Sequence, residues 1–397
     1  MKKTLALFLA LVMLTSLLAG CGGKQSAAEA APAQTQTTAA SQEETTAQTA
    51  QDPIKVAVVG PLTGSYSEYG IGMEAASQVA VDQWNAKGGI NGRSIELVSY
   101  DEKGEREEGL AIAQLITGEG DFYGVVGHFM SIMLVGQLYG DARMPMIAAT
   151  ASAEGFSAQS DCTFRLNATI KTETAAMLVC ADAVGKQKLG VVYLNDDWGN
   201  KAYGTLQGIL EESNPNGYEI VAAEPILGGD MDYSPVISNL KAAGAETVLM
   251  FCYYDSVVPF SIKAAAAYPE LKIVCGGNCY NETFIEVGGK DVEGCLAPTV
   301  FDANASDEQT QAFVSDYAAL TNGGVPSYLS AQAYDAMNVL LEAIESTGGE
   351  LDREKIISAV ANNTHVGVTG SCAFDENRDA ARDFFAMKVE NGTWTAY

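Results

Sequence analysis

Four apolar stretches of this 397-residue chain run into short loops carrying hydroxyls and aromatic rings. Residues 61–70 hold Thr63, Ser65, Tyr66, Ser67 and Tyr69; residues 127–131 read GHFMS and end in Ser131. Residues 148–153 read AATASA, with Thr150 and Ser152, and residues 252–255 read CYYD, with Tyr253 and Asp255. Hydroxyls and backbone N–H groups at a helix start can hold an anion such as a carboxylate without a basic side chain. Tyrosines add flat apolar walls with a polar tip. Any one of these residues alone reads as a helix cap, as at Ser131 or Ser152, or as a core aromatic. Their recurrence in successive loops describes a cleft for a small carboxylate-bearing molecule.

Other chemistry has little to build on. The chain has no GxxxxGK[ST] loop, no HExxH and no GxSxG, so phosphate-loop, zinc-protease and serine-elbow chemistries lack their parts. Gly70-Ile71-Gly72-Met73-Glu74-Ala75 fits GxGxxA but stands about ten residues past its strand, where a dinucleotide turn does not form. His128 and His365 are the two histidines, too few for His-rich metal sites or relays. No cofactor and no metal is expected. A secreted hydrolase working through Asp196, Asp197 or Glu282 is the rival from another class. Fifty acidic against 23 basic residues give a net charge of -27, which repels nucleic acid and anionic lipid headgroups.

The elements that must position these loops alternate. Strands are expected at residues 54–60, 94–100, 122–127, 146–149, 163–166, 189–194, 218–224, 247–253 and 272–275. Helices are expected between them, at 70–87, 107–116, 172–184, 201–212, 234–243 and 257–267. Near-continuous apolar strands separated by amphipathic helices predict parallel sheets covered on both faces, and this length favours two such sheets. Ligands of open α/β sheets sit beyond the carboxyl ends of strands, where the hydroxyl loops fall. Helices at 307–320 and 330–345 and final strands around 374 and 384–389 close the chain.

The first residues indicate export. Lys2 and Lys3 precede an apolar run over residues 5–18, shorter than the ~20 residues of a spanning helix. Leu18-Ala19-Gly20-Cys21 resembles a bacterial lipobox, in which Cys21 is lipidated after removal of residues 1–20. Residues 22–52 lack any large apolar side chain, so residues 21–52 predict a lipidated cysteine and a disordered tether reaching roughly 30 Å. The expected location is extracytoplasmic, held at the cell membrane by lipid alone. Seven further cysteines follow, at 162, 180, 252, 275, 279, 295 and 372. Several lie in strand-like runs and read as buried thiols; Cys275 and Cys279 could also pair or bind metal.

Residues 54–69, the segment Trp84-Asn85-Ala86-Lys87-Gly88-Gly89-Ile90-Asn91-Gly92 and Val126-Gly127-His128 resemble the leucine/isoleucine/valine-binding proteins of ABC importers, of the type I periplasmic-binding-protein family. Asp232-Tyr233-Ser234 and Val292-Glu293-Gly294 add to the likeness, which runs from about residue 53 to 397. The resemblance implies an α/β fold of two doubly wound parallel-sheet lobes joined by a three-strand hinge that closes on ligand. Lobe one would comprise 53–187 and 301–378, and lobe two 188–300 and 379–397. It implies that Ser131, Thr150 and Ser152 hold an α-carboxylate, that Tyr69 and Tyr328 wall the site, and that Tyr253 closes from lobe two. The lobe-two glutamate that meets the ligand's ammonium in the family falls near Gly277 or Asn278 here, with Asp255 or Asp197 as substitutes. The cysteine pair that staples lobe one in some members is absent, Met130 holding one of its places. The expected ligand is a branched-chain or other apolar amino acid, the alternative an aromatic acid or small amide. The expected partner is an ABC permease, and the expected state a monomer.

Overall fold

The computed structural model describes residues 52–229 and 232–397. The leader, Cys21 and the tether expected over residues 1–51 lie outside the described residues. Among the described residues, no helix is long and apolar enough to cross a membrane.

Residues Ile54–Gly60 include four β-branched side chains and are almost wholly buried, as a strand covered on both faces must be. They form β1, flanked in parallel register by β2 (Ile95–Asp101) and β3 (Phe122–Gly127). The intervening helices are α1 (Ser67–Ala86) and α2 (Arg106–Glu119). After β3 come α3 (Ile132–Asp141), β4 (Met146–Ala148) and β5 (Thr163–Arg165). The first sheet is wholly parallel, in the order β2-β1-β3-β4-β5. Gly127 ends β3 at φ +116°, and a Cβ there would lie 2.0 Å from the Val59 carbonyl oxygen, so only glycine lets β1 and β3 lie this close.

The second unit of alternation starts with α4 (Ile170–Val184) and β6 (Lys188–Leu194), then α5 (Asp197–Glu212) and β7 (Glu219–Ile226). It continues with α6 (Ser234–Ala243), β8 (Thr247–Phe251), α7 (Tyr254–Ala267), β9 (Lys272–Cys275), α8 (Glu282–Gly288) and β10 (Leu296–Thr299). The chain then returns to lobe one as α9 (Glu308–Leu320), α10 (Tyr328–Ser346), α11 (Arg353–Ala361) and a two-stranded strap, β11 (Val366–Gly367) with β12 (Gly370–Ser371). It ends in lobe two as the hairpin β13 (Phe385–Glu390) and β14 (Thr393–Ala396). The second sheet runs β14-β13-β10-β9-β8-β6-β7, parallel except for the terminal hairpin. The architecture is thus the expected pair of α/β lobes.

One boundary differs. The first crossover is residues 166–169, ahead of α4, and not near residue 187. Met177, Cys180 and Ala181 of α4 share a core with Leu189, Val191 and Leu249 of the second sheet. An apolar stripe shows that a helix covers a sheet but not which sheet, and Asn167-Ala168-Thr169 is short enough to pass for an ordinary strand-to-helix loop.

The crossovers are pinned together. The Arg165 guanidinium donates twice to Asp379, both at 2.8 Å, and once to the Ala153 carbonyl at 2.7 Å. Backbone bonds Arg165 N–H to Arg378 O and Ala380 N–H to Arg165 O, each 2.9 Å, zip the end of β5, just ahead of the first crossover, to the last crossover, residues 372–384 between β12 and β13. In lobe one, fully buried Asp335 of α10 accepts from Val368 N–H at 3.0 Å and Thr369 N–H at 2.8 Å, which fastens the strap.

Candidate functional site between the lobes

The strand orders locate a crevice in each lobe. In the first sheet β1 has β2 on one side and β3 on the other, so the loops leaving β1 and β3 diverge. In the second, β6 stands between β7 and β8, and the loops leaving β6 and β8 diverge. Such switch points are where open α/β sheets bind ligands. The four loops bring Tyr66 and Tyr69, Phe129, Trp198, and Tyr253 and Tyr254 into one aromatic cluster. Tyr69 stacks on Phe129 with centroids 5.6 Å apart, and Tyr253 stacks on Trp198 at 5.2 Å. Across the lobes, Tyr66 meets Tyr253 edge-on at 5.1 Å and Tyr69 meets Tyr254 at 5.7 Å. The Tyr69 hydroxyl is buried without a well-aligned hydrogen-bond partner, with the backbone of Tyr254 as a polar neighbour. Burial pushes the phenols of Tyr69 and Tyr253 well up, so both stay neutral.

A cavity of about 240 Å³ opens beside this cluster. Lobe one lines it with Phe129, Met130 and Ala153, lobe two with Ile170, Trp198 and Tyr253. At its rim Arg106 pairs across the lobes with exposed Asp197 at 3.2 Å. Another cavity, of about 220 Å³, lies against α8 and the terminal hairpin, between Ile285, Pro326 and Trp394, and takes no residue from the switch-point loops.

The hydroxyls expected to hold a carboxylate divide. Ser152 faces the other lobe, where its Oγ accepts from the Trp198 indole N–H at 3.2 Å. Ser131 does not face the cleft with its side chain: it is fully buried, and its Oγ donates to Glu102 at 2.5 Å and lies 2.7 Å from His128 Nδ1. The other Glu102 oxygen accepts from the N–H groups of Phe129, at 2.9 Å, and Met130, at 2.7 Å. His128 Nε2 meets the Tyr139 hydroxyl at 2.7 Å, completing a buried network. Burial alone would raise the Glu102 carboxyl; His128, Ser131 and the Met130 N–H overcome it and hold the carboxyl low, hence ionised. Thr150 is half-buried and its hydroxyl donates to the His128 carbonyl at 2.5 Å. Two of the three hydroxyls therefore brace lobe one. Beside them the first turn of α3, Ile132 to Leu134, lines the cavity. Leu134 N–H is bonded to the Ser131 carbonyl at 2.8 Å, and the N–H groups of Ile132 and Met133 lack an intrahelical carbonyl.

Tyr328 is buried and is not among the residues that line the inter-lobe cavity. Its hydroxyl donates to Asn167 Oδ1 at 2.7 Å, and a Cβ on Gly277 would lie 3.4 Å from its ring, so it walls the Gly277 loop. Gln332, fully buried, also donates to Asn167, at 3.1 Å. Asn278 is half-buried and its Oδ1 accepts from the Cys279 thiol at 3.2 Å. Asp255 is half-buried; burial raises its carboxyl against the pull of Ser256. The carboxylates weighed for hydrolysis have structural partners: Asp196 caps α5 through Gly199 N–H at 2.8 Å, and Glu282 accepts from Val325 N–H at 3.1 Å. All seven cysteines of the described residues are buried free thiols.

Trp198 and Phe129 line the cavity, although sequence reasoning did not single them out. Trp198 follows β6 within four residues, the same strand-end position that drew attention to Tyr253. Glu173 of α4 accepts from Gly277 N–H at 3.0 Å.

Comparison with known proteins agrees with this geometry. The family model described as periplasmic binding protein matches residues 53–393. The leucine-, isoleucine-, valine-, threonine- and alanine-binding protein of Pseudomonas aeruginosa is 28% identical over 337 residues, 83% of this chain and 88% of that protein. The Leu/Ile/Val-binding protein of Escherichia coli is 26% identical over 250 residues, 62% of this chain and 67% of that protein. Among solved structures, the branched-chain amino acid transporter substrate binding protein of Streptococcus pneumoniae, in complex with isoleucine, superposes with a TM-score of 0.79 at 23% identity, covering 87% of this chain and 98% of that one. A solute binding protein from R. palustris, in complex with benzoate, gives 0.78 at 17%, covering 87% and 95%. With the family model spanning nearly all of the folded chain, and a cleft formed where both sheets switch direction, this chain belongs to the periplasmic binding protein family.

Proposed function

We propose that this protein is the extracytoplasmic receptor of an ABC importer and that it captures an amino acid with an apolar side chain in the cleft between its lobes. The observation that carries the reading is the aromatic cluster drawn from four strand ends of two lobes, Tyr66, Tyr69 and Phe129 against Trp198, Tyr253 and Tyr254. An apolar side chain buried among such rings gains about 25 cal/mol per Å² of covered surface. The ligand's carboxylate lies against the N–H groups at the start of α3 and the Ser152 hydroxyl. Closure of the lobes excludes water and strengthens these dipole contacts. Binding is stoichiometric and the solute leaves unchanged for the permease, so no turnover is expected.

A second reading, an aromatic acid, is favoured by the same six rings and by Asn278, which carries no charge for an ammonium group. Mass spectrometry of the ligand released from freshly purified protein separates the two, and calorimetry against amino acids and aromatic acids confirms the choice. Failure of every carboxylate-bearing solute to bind rejects both.

The protein acts as a monomer tied to the membrane through Cys21. Expressed in a lipoprotein-processing bacterium, the wild type should partition with membranes and Cys21→Ser should be released to the soluble fraction. Equal partitioning of the two would reject the lipid anchor.

A further inference from the structure

Ile170 lines the inter-lobe cavity, and Glu173 stands three residues further along α4, on the same helix face. One Glu173 carboxylate oxygen accepts from Gly277 N–H at 3.0 Å. Among the described residues nothing donates to the other oxygen, and no Lys, Arg or His pairs with the group. Gly276 leaves room for the carboxylate: a Cβ there would lie 3.1 Å from the bonded oxygen. The carboxylate lies close enough to act electrostatically on the hydroxyls of Tyr253, which lines the cavity, and Tyr328, which packs on the Gly277 loop. Burial pushes its carboxyl up, and the Gly277 N–H holds it partly down. Glu173 is half-buried; a partly desolvated carboxylate gains from a facing cation, and the described residues supply none.

We propose that Glu173 takes the ammonium group of the bound amino acid, doing from α4 what Asn278 cannot do from the loop after β9. This inference rests on the amino-acid reading above. Of the other carboxylates near the cleft, Asp197 pairs with Arg106, Asp196 caps α5 and Glu68 lies against the Tyr254 and Thr283 hydroxyls, while half-buried Asp255 is the rival that the test must separate. Glu173 is therefore a specificity-determining residue. It separates amino acids from the same skeletons without nitrogen.

Calorimetry with two matched pairs tests this: leucine against 4-methylpentanoate, and phenylalanine against 3-phenylpropionate. Wild type should prefer the amino acid of at least one pair. Glu173→Gln should weaken that amino acid by about 10–100-fold, the worth of a charge-assisted bond, while its nitrogen-free partner changes by less than about 3-fold. Glu173→Asp, which keeps the charge, should retain more of the preference than Glu173→Gln. The assignment is overturned if Glu173→Gln still binds the amino acid within about 3-fold of wild type. It is also overturned if Asp255→Asn removes the preference instead. Wild type that binds the nitrogen-free acids as tightly as the amino acids overturns it too, yet leaves a solute receptor standing. Wild type that binds none of the four rejects the amino-acid reading and the inference together.

Discussion

Tyr253 touches more of the cleft than any other single ring described here. It stacks on Trp198 and meets Tyr66, Tyr69 and Phe129 of the opposite lobe. Tyr253→Ala should lower ligand affinity at least about 10-fold by calorimetry, whereas Tyr253→Phe, which keeps the ring, should stay within about 3-fold. Tyr253 and Tyr69 were legible in the sequence because both follow a strand-like run at the end where parallel sheets bind ligands. Trp198 obeys the same rule after β6 but was obscured by the Asp196-Asp197 pair, which drew a catalytic reading. Ser131 and Thr150 were legible as residues of the right loops but not in their orientation. The carboxylate that turns Ser131 inward, Glu102, lies 29 residues earlier in the chain, and one sequence carries no sign of that meeting.

At the scale of elements, period and punctuation gave β1–β9, β13 and most helices within a few residues, but missed β10 and β14, and the strand expected around residue 374 is only an isolated bridge to Ala380. Nor did they assign α4 to its sheet. With α4 placed in lobe one, Glu173 had no reason to be considered beside the Gly277 loop. The strap β11–β12 was equally silent, since two-residue strands leave no periodic signal. Its neighbour His365 offers a pH test. Burial lowers the His365 pKa, but the bond to Glu342, 2.8 Å from Nδ1, and the nearby Asp335 charge outweigh burial and raise it above 6.5. A raised folded-state value stabilises fully below the unfolded pKa and is lost as pH rises through the folded one. Thermal midpoints should therefore decline from pH 6.5 upward more steeply in wild type than in Glu342→Gln. Parallel curves for the two proteins would remove the pair as a source of stability.

The whole molecule is two lobes whose relative motion must pass through the crossovers, and Arg165 holds two of them. Its side chain is 3% exposed and that of Asp379 22%. Arg165→Ala leaves Asp379 without its cation and three crossover contacts unmade. The variant should lose about 3 kcal/mol in chemical denaturation, with a smaller drop for Arg165→Lys, whose point charge cannot make both bonds. A loss under about 1 kcal/mol would show that the hinge is held elsewhere.

The network around Glu102 has a kinetic consequence. Because residues 129–131 are already tied to a buried carboxylate within lobe one, the seat proposed for an incoming acid would be built during folding, with its ordering entropy settled there. A solute thus lands on a rigid half and waits for a swinging one. Capture should proceed at a rate set by diffusion, and retention by how long the second lobe stays shut.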